Sequence, residues 1–171
     1  MSRSVNRPLN RPPDRSPDRP PDRPRTLLGF DYGLRRIGVA VGQEVTRSVA
    51  PLTTLSRKTD KPDWEAITRL IDEWQPDLLI VGLPLTLEGE DQEMTRRARR
   101  FGNQLKGRYN LPVEMVDERL TSYEAEQLLE ERSHNGAGRN EPEDIDQVAA
   151  QLILQSWFDQ QLTPEQHERT P

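Results

Sequence analysis

The stretch FDYGLRRIGVAVG, residues 30–42, decides how the chain is read. Two β-type runs, Thr26–Tyr32 and Arg36–Gly42, are joined by Gly33-Leu34-Arg35, a connection of hairpin length. Asp31 stands near the end of the first run with Gly33 two residues on, so its carboxylate lies beside backbone that carries no side chain. Such a position is accessible to a phosphate or a metal ion. The plainer alternative is that Asp31 and Gly33 only shape the turn.

Val49–Ser56 reads as a third strand, and helices then alternate with strands. Trp64, Ile67, Leu70, Ile71 and Trp74 fall at helical spacing within Asp63–Trp74. Leu78–Val81 is a short apolar strand of the kind buried on both faces, followed by a loop over Gly82–Gly89. Asp91–Arg108 returns to helical period, with Met94, Ala98, Phe101 and Leu105 on one face and Arg96, Arg97, Arg99 and Arg100 around the rest. A solvated helix surface is the ordinary reading of those arginines, and a phosphate contact is the sharper one. Val113–Asp117 is a further strand, Ser122–Arg132 a helix and His134–Asn140 a glycine-containing loop; a last helix runs from about Asp144 to Gln160. The order predicts an α/β protein with a mixed sheet, three antiparallel strands and then parallel strands, flanked by helices.

Residues 1–25 have a different character. Arg3, Arg7, Arg11, Arg15, Arg19 and Arg23 recur at a fixed interval among prolines. Proline at this density removes amide donors and favours extended conformations, so the expectation is a disordered arm over 1–25, a domain over 26–160 and a flexible tail over 161–171. The arm holds seven Arg and three Asp, a net +4, which leaves −9 on residues 26–171 within the total of −5. An acidic domain argues against a broad basic surface that grips nucleic acid non-specifically, so local clusters or the arm must do so. The absence of cysteine excludes disulfides and thiolate metal sites and suits a reducing cytosol. No apolar run approaches the roughly 18 residues of a membrane span, and a secretory core is missing from the first residues. A soluble, cytoplasmic protein without membrane partners is expected.

Two more segments carry chemistry. In VDERLTS, residues 116–122, adjacent carboxylates Asp117 and Glu118 end a strand. Alternation sends them to opposite faces, so only one of them can join Asp31. Thr121 or Ser122 reads as the N-cap of the following helix. In EDIDQVAAQLILQSW, residues 143–157, Asp144 and Gln147 fit a capping arrangement. Asp146, by contrast, heads the stripe Ala150, Ile153 and Trp157 that should face the sheet; its ordinary alternative is complementing the helix dipole. Carboxylates from a first strand, a later strand end and a final helix together suit divalent ions, which take hard oxygen ligands and keep positions for water and substrate phosphate. No general-base histidine is then needed, and His134 and His167 read as incidental.

At these residues the chain resembles the YqgF-type family, known both as pre-16S rRNA nucleases and as Holliday junction resolvases. The matching motifs are DxGxxRIGVAV at Asp31–Val41, VGLPL at Val81–Leu85 with Gly89, DERLTS at Asp117–Ser122 and IDQVAAQLILQ at Ile145–Gln155. The resemblance implies an RNase H-like fold, maturation of the 5′ end of 16S rRNA during ribosome biogenesis, and Asp31, Glu118 and Asp146 as the catalytic, metal-binding carboxylates. The chain departs from the family just before the last motif, where basic residues are usual and only Arg139 keeps that character.

The leading expectation is metal-dependent hydrolysis of an RNA phosphodiester, with Mg²⁺ or Mn²⁺ on the three carboxylates and Arg36, Arg119 and Arg139 contacting substrate. Pre-rRNA is the favoured partner, with a DNA junction and a pre-ribosomal particle as further candidates, and the protein acts as a monomer or homodimer. A Holliday junction resolvase would use the same site on DNA and require a symmetric dimer. A sugar- or acetate-kinase-like phosphate binder would need two such domains. A non-catalytic RNA-binding assembly factor is the alternative from outside enzymology.

Overall fold

The computed structural model describes residues 24–57, 61–86, 88–118 and 142–169, apart from the side chains of 142–143 and 162–169. Its strands are β1 (Thr26–Tyr32), β2 (Arg36–Gln43), β3 (Ser48–Ser56), β4 (Leu78–Leu83) and β5 (Val113–Asp117). Its helices are α1 (Trp64–Trp74), α2 (Glu93–Tyr109) and α3 (Pro142–Arg169). The helix expected over Ser122–Arg132 and the loop over His134–Asn140 lie outside the described residues, as do most of the N-terminal stretch and the end of the chain.

The five strands form one sheet in the order β3-β2-β1-β4-β5. The hairpin places Asp31 opposite Gly38 and Tyr32 opposite Ile37, and the Gly33 amide closes it by donating to the Arg36 carbonyl at 3.0 Å. β2 pairs antiparallel with β3, whereas β1 with β4, and β4 with β5, are parallel. The expected mixed sheet is therefore present, with β1 at its centre. β3 is an edge strand, where Pro51 fits because an outer strand can spare an amide donor; the ladder shifts register between Val39 and Ala40, beside it.

Alternation along β1 sorts the two layers. Leu28, Phe30 and Tyr32 point to one face, where they pack with Val39, Val41, Leu79 and Val81 against Ile67 of α1 and Ala98, Phe101 and Leu105 of α2. This layer follows the helical stripes read from the sequence. Phe101 is its hub, with its ring 5.6 Å from Phe30 and 4.9 Å from Tyr32. Each fully buried side chain of this size contributes about 1.5–3 kcal/mol. Leu27, Ala40, Leu78, Ile80 and Val116 point to the other face and pack against Ala150, Ile153, Leu154, Trp157 and Phe158 of α3.

The helix ends use local chemistry. The Asp63 carboxylate accepts from the Ala66 amide to cap α1, and Gln92 and Thr95 make reciprocal caps at the start of α2. α3 differs from expectation in both directions, beginning at Pro142 and running beyond Gln160 to Arg169. Proline suits a first helical turn because its missing donor would have no partner there. Asp144 consequently lies inside the helix and not at its cap. The Gln147 amide, expected to complete a cap, donates instead to Thr54 of β3 at 3.1 Å. Among the described residues, no helix is long and apolar enough to cross a membrane.

The second layer is tight where glycines lie beneath α3. A Cβ on Gly38 would fall 2.1 Å from the Asp146 carbonyl oxygen, and one on Gly29 would fall 2.6 Å from Leu154 Cγ. Gly38→Ala should thus push the start of α3 off β2 and destabilise the protein by at least about 1–3 kcal/mol. Gly107→Ala, on α2 where nothing lies within 4 Å, should stabilise it by up to about 1 kcal/mol through helix propensity. Urea unfolding of the two variants checks the contrast, and equal effects would mean that α3 is not held against Gly38.

Candidate active site

Two acidic side chains, Asp31 and Glu118, meet near the carboxyl ends of β1 and β5 on the face covered by α3, and Asp146 of α3 lies close enough for its charge to act on Asp31. Asp31 shares the orientation of Leu27 and Gly29 on β1. Glu118 follows β5, and its amide extends the ladder by donating to the Leu83 carbonyl at 3.1 Å. It shares the face of Val116 and of Glu114, whose Oε1 accepts from Trp157 Nε1 of α3 at 2.7 Å. Asp117 has the opposite orientation. Glu118 is therefore the carboxyl that reaches Asp31, and the two side chains are hydrogen bonded.

Gly82 makes room for this pair. A Cβ there would fall 2.1 Å from Glu118 Oε1. Gly38 does the same on the other side of Asp31, allowing the α3 backbone at Asp146 to lie against β2. Asp146 adds its charge to that of Asp31, and its Oδ2 accepts from Arg36 Nε at 2.6 Å.

The electrostatics follow from crowding like charges in a partly buried place. Burial raises both carboxyls of the pair. For Asp31 the negative charge of Asp146 adds to this, taking it from 3.8 to about 6. Glu118, which also faces the charge of Asp31, rises from 4.5 to about 9. Its proton is the one shared, so near neutral pH Glu118 donates to an Asp31 carboxylate.

The donor set consists of three carboxyls, the hard oxygens that divalent cations prefer, with Gly82 making room for the Glu118 side chain and Gly38 for the Asp146 backbone. It fits such an ion in chemistry. As the side chains stand, however, no three acidic or histidine side chains among the described residues converge closely enough to hold one ion. Asp31 and Glu118 are engaged with each other, and Asp146 with Arg36.

The other expected contacts divide. Arg36 lies at the site, on Asp146 rather than turned to solvent alone. Arg119 and Arg139 lie outside the described residues, as do His134 and the side chain of His167. Of the α2 arginines, Arg96 and Arg97 pair with Glu93 at 3.0 and 3.1 Å, and Arg99 pairs with Asp91. These pairs match the solvated-helix reading.

One residue escaped the sequence reading. Arg57, just after β3, is only 8% exposed. Its Nη1 donates to the Gly33 carbonyl at 2.6 Å, its guanidinium lies 4.8 Å from the Tyr32 ring centre, and its amide donates to the Arg35 carbonyl at 2.8 Å. A buried guanidinium is costly unless its donors are used, and here it ties down the hairpin that carries Asp31 and Arg36. Nothing in the local sequence distinguishes it from the other arginines.

The raised carboxyls make stability depend on pH. Between about 4 and about 9 the folded chain holds protons that the unfolded chain releases, so stability without metal falls as pH rises through this window. Thermal unfolding in a chelator should show a midpoint that declines from about pH 5 to about pH 9. Glu118→Gln, which cannot ionise, should flatten the decline and raise the midpoint at the alkaline end. A steeper decline in that variant would contradict the shared-proton pair.

Known proteins share this arrangement of chain. A Nitrosococcus oceani protein named "Putative pre-16S rRNA nuclease" is 57% identical over 139 residues, covering 81% of this chain and 90% of its own. One of the same name from Saccharophagus degradans is 48% identical over 147 residues, covering 86% and 98%. Among solved structures, Thermus thermophilus RuvC in complex with a Holliday junction substrate matches with a TM-score of 0.50 at 16% identity, covering 81% of this chain and 96% of its own. The fowlpox virus resolvase, also in complex with Holliday junction DNA, gives 0.52 at 13%, covering 81% and 99%. These two show the RNase H-like fold. The family model described as "RuvX: Holliday junction resolvase" matches residues 25–160, and with relatives this similar over most of their length the chain belongs to that family of nucleases, enzymes that hydrolyse phosphodiester bonds.

Proposed function

We propose that this chain is an endonuclease that processes the 5′ end of pre-16S rRNA by metal-dependent phosphodiester hydrolysis, with Asp31, Glu118 and Asp146 holding Mg²⁺ or Mn²⁺. The observation that carries the reading is the gathering of carboxyls from positions 31, 118 and 146 at one end of the sheet, where burial and mutual repulsion hold a proton that a cation would replace. The names of the relatives support RNA as substrate. A cytoplasmic location and work on a pre-ribosomal particle follow from that substrate.

When bound, a divalent cation supplies a more acidic water and positive charge for the leaving oxygen. The chain's own part is to hold the acids in place and in the right charge state. Asp31 is set by the central strand and by a hairpin secured through Arg57. Glu118 must give up its proton for the site to carry full negative charge, so cation binding releases protons and strengthens as pH rises. Arg36 is the residue at the site suited to a substrate phosphate.

A second reading, cleavage of a four-way DNA junction, is favoured by the description of the family and by the substrates in the two resolvase complexes. It would require a symmetric dimer to cut two strands.

Cleavage of a precursor 16S RNA fragment and of a DNA junction should be compared with Mg²⁺, with Mn²⁺ and with chelator. RNA cleavage that chelator abolishes is expected. Asp31→Asn should lower the rate by about two orders of magnitude or more, the scale of losing one preorganised electrostatic group, while cooperative unfolding is retained. A normal rate in that variant would remove Asp31 from the site. Cleavage of the junction alone would favour the resolvase, and RNA binding without cleavage of either substrate would favour an assembly factor.

A further inference from the structure

The Arg36–Asp146 ion pair joins residues 110 positions apart, the first residue of β2 and the first turns of α3. Arg36 Nε lies 2.6 Å from Oδ2, with side-chain exposures of 36% for Arg36 and 19% for Asp146. Two chemistries compete for these groups. The Asp146 carboxylate belongs with Asp31 and Glu118 if the three are to hold a cation, and no such set of three is assembled while Arg36 holds it. The guanidinium, in turn, presents a planar fork that suits a phosphate as well as a carboxylate. Its exposure leaves it open to a ligand from solvent, while Asp146 remains on the sheet side.

We propose that Arg36 is a positioning residue that holds Asp146 in the free protein and exchanges it for a phosphate of the nucleic acid, so that substrate binding releases Asp146 to complete the carboxylate set. The inference rests on the proposed role of Asp146 as a metal ligand. Its consequence is that substrate and cation each strengthen binding of the other, because a coupling between two sites is reciprocal. A cation arriving alone must break the ion pair, whereas one arriving after the nucleic acid does not.

The test uses the full chain and Mn²⁺, with binding read by electron paramagnetic resonance of the free ion and not by activity. Arg36→Gln should bind Mn²⁺ roughly two- to fivefold more tightly than the parent, the size expected for releasing a partly exposed ion pair. Arg35→Gln removes the same formal charge from the neighbouring exposed side chain and should leave binding nearly unchanged. Equal tightening in both variants would mean general electrostatics, and weaker binding in Arg36→Gln would mean that Arg36 orients Asp146 for the ion; either result overturns the exchange.

In metal-free protein, a short single-stranded RNA should shift the Arg36 Nε–H resonance, and Asp146→Asn should move that resonance without RNA. An Arg36 resonance unmoved by RNA also overturns the exchange. Asp146→Asn separates the two layers of the argument. Unchanged Mn²⁺ binding in that variant would refute the role of Asp146 as a ligand; lost binding there, together with weakened binding in Arg36→Gln, would refute the exchange alone.

Discussion

The approach of the α3 backbone to the sheet at Gly38 is the constraint on which the site depends. No side chain fits between that strand position and the Asp146 carbonyl. The two faces of the sheet differ for this reason. One carries Leu28, Phe30, Val39 and Val41 and keeps its helices at the distance that large side chains impose. The other presents Gly29, Gly38 and Ala40 and lets a helix lie close enough for its backbone to set where a carboxylate goes. Asp31 points to this second face, so the tight layer and the acidic cluster arise from the same alternation.

Crowding acids beside one another works against folding, and the structure offsets it in two ways. Glu118 keeps a proton and donates it to Asp31, while Asp146 takes a guanidinium. A site that breaks a rule of stability and is balanced by neutral or paired partners is the pattern expected where chemistry, not packing, sets the residues. A buried Arg57 fixes the hairpin, and the pairing of β4 with β5 places Glu118 above a glycine.

Much of this was written locally. β1 and β5 coincide with their apolar runs, and the buried faces of α1 and α2 are the stripes that their spacing marks. Such features need only the geometry of a strand or a helix, which repeats every two or every 3.6 residues whatever the rest of the chain does. Asp31 and Asp146 could be singled out on the same basis, one ending a strand and the other heading a buried stripe. The expected cap at Asp144 went wrong because a local motif competed with distant partners: Pro142 begins the helix sooner and Thr54 takes the Gln147 side chain.

Local periodicity therefore marked the kind of the described elements and pointed to Asp31 and Asp146 as candidate acids. Family resemblance points to Glu118 over Asp117, and the fold supplies the physical reason. Alternation says that the two diverge, but which of them faces Asp31 depends on β5 lying in register with β4 and β4 with β1. Tertiary structure likewise brought Arg36 to Asp146 and set Arg57 beneath the hairpin. These contacts join residues that are distant in the chain, and no local periodicity encodes them; sheet order and the close packing of α3 do.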